Sequence, residues 1–192
     1  MVFVHRLHQL VYVASILVLS WLGMLAVHEL GHVVGAMATQ GTVQRVVLHP
    51  LAISRTDVSP NPSPLIVVWL GPLIGCGLPA LICLLIPKRF ISVRQGLLFF
   101  AGFCLVTNGA YILFGSFDGV GDCGVMLQHG SPFWTLIAFG IVAIPSGTLI
   151  WHRLGSVREF VENPERIDPI AAWTLLAVGA VVLVAEMLLF PA

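Results

Sequence analysis

Between Leu10 and Val27 there is no charged side chain, and the apolar run resumes at Val33 and holds to Ala38. A chain segment in hydrocarbon must satisfy its backbone N–H and C=O groups internally, so a run of this kind folds as a helix. At about 1.5 Å per residue, residues 10–38 outreach the roughly 30 Å hydrocarbon core of a bilayer. Four more runs of spanning length follow, at residues 65–87, 96–115, 132–151 and 169–190. Only 9% of the 192 residues are charged, where an ordinary soluble domain carries about 25%. The expectation is an all-α polytopic membrane protein with about five transmembrane helices, forming a single membrane-embedded domain over residues 1–192. Net charge is zero and there is no basic run, so nucleic acid is excluded as a partner.

The segments between the runs are short. Residues 1–9 read as a polar lead containing His5, Arg6 and His8, and the first run reads as a retained span, not a cleaved signal peptide. Thr42 to His49 is rich in β-branched residues and partly alternates, which predicts a short strand or hairpin in the 39–58 loop. Ser59 to Pro64 holds three prolines and reads as an extended connector. Gly71 and Gly75 make a small-xxx-small face on the second span, where another helix can approach closely. Pro72 and Pro79 are expected to kink that span. Residues 115–124 carry Asp118, Asp122 and several glycines, and read as irregular backbone between apolar spans. Residues 152–168 read as an interfacial loop or short helix, and Glu186 as a carboxylate reaching the interface. The four cysteines, Cys76, Cys83, Cys104 and Cys123, form no C-x-x-C pair and read as free thiols. With five spans, one side carries Arg6, Lys88, Arg89, Arg94, Arg153, Arg158 and Arg166, and the other Arg45 and Arg55. The positive-inside rule then places the N-terminus in the cytoplasm.

One stretch breaks the apolar pattern of the first span: His28-Glu29-Leu30-Gly31-His32. On a helix, residues four apart share a face, so His28 and His32 can reach one metal ion. This H-E-x-x-H spacing is the pattern of a helical zinc site, with the glutamate as general base. Zinc lowers the pKa of a bound water towards neutrality, and Glu29 is placed to take its proton. Ionisable groups at membrane depth are costly unless paired or bound, which favours a functional assignment. A catalytic zinc usually takes three protein ligands. The carboxylates of the glycine-rich segment, Asp118 and Asp122, are the candidates for the third.

HELGH in the first long span, Gly71-Pro72 in the next, and Asn108 with a downstream Asp-Gly segment resemble the site-2 protease family of intramembrane zinc metalloproteases. The resemblance covers about residues 10–130, the three-helix catalytic core of that family. It implies zinc (Zn²⁺) held by His28, His32 and an aspartate, Glu29 as catalytic base, and Asn108 as a substrate-positioning residue. The family's aspartate lies in an Asn-x-x-Pro-x-Pro-x-Leu-Asp-Gly pattern. Here both prolines are missing after Asn108, Asp118 falls two residues late and Asp122 six. Asp118 keeps the Asp-Gly pair. Asp122 opens a helix-like Asp-Cys-Gly-Val-Met-Leu stretch, as in small, divergent bacterial members, and is the preferred ligand. The resemblance implies hydrolysis of peptide bonds in or near a transmembrane segment of a membrane-protein substrate, in a bacterial cell (inner) membrane. The substrate would pair with the strand around residues 42–49. The competing reading is a non-catalytic metal-binding membrane protein or a metal transporter; spans two, four and five offer almost no polar residues for an ion path, which argues against transport.

Overall fold

A computed structural model describes residues 2–87 and 89–190. Lys88, counted above among the cations of one side, lies outside the described residues. The order of elements is α1 (Val2–Ala38), β1 (Val43–Val47), β2 (Arg55–Val58), α2 (Pro64–Leu85), α3 (Ile91–Asp118), α4 (Gly121–Gln128), α5 (Phe133–His152), α6 (Val157–Glu162) and α7 (Pro169–Leu189), with a 3-10 turn at Pro164–Arg166. Among the described residues five helices, α1, α2, α3, α5 and α7, are long and apolar enough to cross a membrane. This is the build of a multi-pass membrane protein, with one small sheet.

The chain divides into two compact units, and α1 runs through both. One consists of residues 24–46 and 55–154. Within it α2 and α5 each pack along α3, and α4 packs on α2 and α3. Proline sets the start of α2: Pro64 occupies its first turn, where the missing N–H costs no helix bond. The beginning of α5 is likewise marked by Pro132 at its N-cap. Pro72 and Pro79 lie inside α2, which nevertheless runs on to Leu85. A core of Val68, Ile112, Cys123, Met126 and Leu136 joins α2, α3, α4 and α5. Trp69 Nε1 donates to Ser131 Oγ at 2.7 Å, tying α2 to the turn before α5.

The sheet has two strands, β1 and β2. Only residues 48–54 connect them, too few for a parallel crossover, so the pair is an antiparallel hairpin. Its base is closed by Ser59 N–H to Thr42 O at 2.8 Å and Thr42 N–H to Pro60 O at 3.0 Å. Gly41 N–H to Ala36 O, at 2.8 Å, fastens it to the end of α1.

The other unit consists of residues 1–23, 47–54 and 155–192. Here the expected polar lead is already helix, since α1 begins at Val2. Two of its polar side chains find partners: Gln9 Nε2 donates to Phe160 O at 2.7 Å, and Arg6 Nη1 to Gln9 Oε1 at 2.9 Å. Asp168 caps α7 by accepting from Ile170 N–H at 2.9 Å, with Pro169 next in the first turn. Glu186 is buried, at 7% exposure, instead of reaching outwards. Its Oε2 has no hydrogen-bond partner among the described residues.

The segment at residues 115–124 also departs from its reading as irregular backbone. Helix α3 continues to Asp118, and α4 begins at Gly121. The break is confined to Gly119 and Val120. Gly119 adopts φ 60°, the left-handed C-cap conformation that glycine takes without a Cβ penalty, and its N–H bonds Gly115 O.

Candidate metal centre

All of the site lies in the unit formed by residues 24–46 and 55–154. His28 and His32 fall one turn apart on α1 and point the same way, with ring centroids 4.8 Å apart. Both are buried, at 7% and 6% exposure, which is room-limited packing. Helix α2 crosses α1 closely enough that a Cβ on Gly71 would fall on the His32 imidazole. A Cβ on Gly75 would sit 3.1 Å from the Asn108 amide. The small-xxx-small face of α2 therefore receives two polar side chains of the site.

Each imidazole is fixed from behind. His32 Nδ1 lies 2.9 Å from Val67 O, a carbonyl that only accepts, so Nδ1 carries the hydrogen. Asn108 Nδ2 donates to Cys104 O at 2.9 Å, which turns its Oδ1 towards His28 Nδ1 at 2.6 Å. There too Nδ1 is the donor. In the neutral rings both Nε2 atoms are then left with bare lone pairs. These two atoms face each other at 3.1 Å.

Asp122 completes the group. Its Oδ2 lies 2.8 Å from His28 Nε2 and 3.3 Å from His32 Nε2. It stands in the first turn of α4, where the helix dipole favours a carboxylate. Its backbone N–H donates to Tyr111 Oη at 3.0 Å, and the Tyr111 ring meets His28 edge-on. Burial alone would raise the Asp122 carboxyl; when His28 and His32 are protonated, their hydrogen bonds and charge reverse this and hold it well below the usual carboxylate range. The neighbouring Cys123 thiol is pushed up to about 11, first by burial and then by the Asp122 charge. It stays a thiol, donating towards Ile112 O, and is no ligand.

Three acceptor atoms thus converge with no hydrogen between them unless a ring takes up a proton. Such a cluster calls for a cation. The ligand atoms of a tetrahedral zinc at about 2.0–2.1 Å stand roughly 3.3 Å apart, close to the spacings seen. The donor set, two imidazoles with carbonyl-type partners on the far nitrogen and one carboxylate, fits a metal ion. Among the described residues it is the one group of three or more His, Cys, Asp or Glu side chains placed to hold one.

The remaining sequence candidates fall as follows. Glu29 is 2% exposed, and its Oε2 accepts from Thr56 Oγ1 at 2.8 Å. Asn108 is 1% exposed, with both amide atoms engaged on His28 and Cys104. Asp118 is exposed at the end of α3 and does not join the group of ligand atoms formed by His28, His32 and Asp122. Thr56, Tyr111 and Val67 were not singled out from the sequence. Each acts through a fold-back that no local spacing announces.

Compared with family models, with curated proteins and with solved structures, the chain matches none at the level taken as significant.

Proposed function

We propose that this chain is an intramembrane zinc metalloprotease of the site-2 protease type, cutting peptide bonds in or near transmembrane segments of other membrane proteins. A bacterial cell membrane is the setting that the sequence resemblance implies. The observation that carries the reading is the convergence of His28 Nε2 and His32 Nε2, on a helix long and apolar enough to span a bilayer, with Asp122 Oδ2 from α4, Glu29 following His28 in the chain. The three-helix core is assigned to α1, α2 and α3, with α4 delivering the aspartate.

His28, His32 and Asp122 would hold the zinc, which when bound would supply Lewis acidity to a scissile carbonyl and a water. Glu29 takes the proton from the attacking water at a carboxylate oxygen and passes it to the leaving amine nitrogen, so that acid and amine are both released. Asn108 and Val67 O hold the two imidazoles in the tautomer that leaves Nε2 free to bind. Burial of Glu29, His28 and His32 limits competing water. The hairpin gives an unwound substrate segment a sheet edge on which to satisfy its backbone groups.

The test is cleavage by purified protein, zinc-loaded and reconstituted in liposomes with tagged single-span polypeptides whose spans carry central Asn-Gly pairs. The wild type should cut them, and Glu29→Gln should keep its zinc and not cut. Equal cleavage by Glu29→Gln, or no cleavage by zinc-loaded wild type across the set, contradicts the proposal.

A further inference from the structure

We infer that Thr56 is a positioning residue for the Glu29 carboxylate, so that the hairpin, and not α1 alone, sets the geometry of the base. The inference deepens the proteolytic reading and rests on it. Glu29 is 2% exposed, and the segment around it is apolar apart from the two histidines. A carboxylate so buried needs a hydrogen-bond donor. The Thr56 hydroxyl lies 2.8 Å from Glu29 Oε2 and 3.4 Å from the Glu29 carbonyl oxygen. It has one hydrogen, and the shorter contact to the charged group takes it.

The consequence for the base is geometric. The last torsion of a glutamate is broad and roughly two-fold, so an unsupported carboxylate samples many orientations. Fixing Oε2 fixes the plane of the group and leaves Oε1 to face an incoming proton. The donor itself is held firmly. Thr56 lies within β2, the hairpin base is closed by the Thr42–Ser59 and Thr42–Pro60 bonds, and Gly41 N–H fastens that base to Ala36 O on α1. Thus α1 carries the carboxylate, and the segment following α1 returns to clamp it.

Two substitutions separate the hydroxyl from the shape of the side chain. Thr56→Val keeps volume and β-branching and removes the donor; Thr56→Ser keeps the donor. Three readouts apply: zinc content, the Glu29 carboxylate band in difference infrared spectra (assigned from wild type minus Glu29→Gln), and kcat and KM on the single-span polypeptides. In Thr56→Val zinc is retained, the carboxylate band shifts, and kcat falls by about 10–100-fold with KM unchanged, a part of the roughly 10²–10⁴ that a general base contributes. Thr56→Ser restores both band and kcat. An unshifted band, a wild-type kcat in Thr56→Val, or loss of its zinc overturns the assignment, the last because it would make Thr56 part of the metal site's framework. A zinc-loaded wild type that shows the Thr56-dependent band and cuts nothing overturns the proteolytic reading and, with it, the catalytic role of Thr56. An unshifted band in a wild type that does cut overturns the role of Thr56 alone.

Discussion

His28 Nδ1 donates to Asn108 Oδ1 at 2.6 Å, across from α1 to α3. Because Asn108 Nδ2 is spent on Cys104 O, the amide cannot turn over without losing a bond, and the tautomer of His28 is set. Removing such an outer partner typically costs 10–100-fold in metal affinity. Asn108→Ala should therefore lower zinc affinity by about that factor, measured by competition with a chromophoric chelator, while the protein stays folded by circular dichroism. An unchanged affinity would show that the amide does not orient His28.

Gly71 is the second lever. The His32 ring occupies the space a Cβ would need, and the α2 backbone leaves it no retreat. Gly71→Ala should displace the ring from Val67 O and cost most of the bound zinc. Gly77, whose Cβ would meet nothing within 4 Å, is the control on the same helix. Gly77→Ala should retain zinc, and equal zinc content in both variants would contradict the packing argument.

The position of Asp122 depends on the core beneath α4. Met126 is fully buried there with Ile112, Cys123 and Leu136. Met126→Ala should destabilise by about 2–5 kcal/mol, as large-to-small changes in cores do, and loosen α4. The expected signature in thermal unfolding is a lower midpoint in which added zinc recovers part of the loss, since ligand binding to the folded state alone stabilises it. A zinc-induced rise in midpoint as large as that of the wild type would mean that α4 holds Asp122 independently of this core.

Tyr111 Oη accepts from Asp122 N–H at the start of α4. A single hydrogen bond of this kind contributes about 0.5–1.5 kcal/mol, so Tyr111→Phe should weaken zinc binding only two- to tenfold. A complete loss of zinc would assign the hydroxyl a more direct part in the site.

The H-E-x-x-H pair was legible in the sequence because its geometry is local: two residues four apart on one helix need no tertiary information. The five spans were legible for the same kind of reason, since apolar length alone specifies a helix in a bilayer. The histidine–aspartate convergence depends on α4 turning back after Gly119, and the sequence narrowed it only to two aspartates. Thr56 was not legible, because a threonine between Arg55 and Asp57 in a half-exposed strand looks like any strand residue until the hairpin folds onto α1. The start of α1 was misjudged at its polar residues, whose partners, the carbonyls of α6, lie some 150 residues away in sequence. The segment at residues 115–124 was misjudged because its glycines suggested a long irregular stretch, whereas one left-handed residue, Gly119, suffices to end α3.

The most direct test is the zinc content of the protein purified without chelators, for wild type, His28→Ala, Asp118→Ala and Asp122→Ala. The account predicts about one zinc per chain in wild type and in Asp118→Ala, and its loss in His28→Ala and Asp122→Ala. A folded wild type without zinc, or one that keeps its zinc in Asp122→Ala and loses it in Asp118→Ala, would contradict the site described.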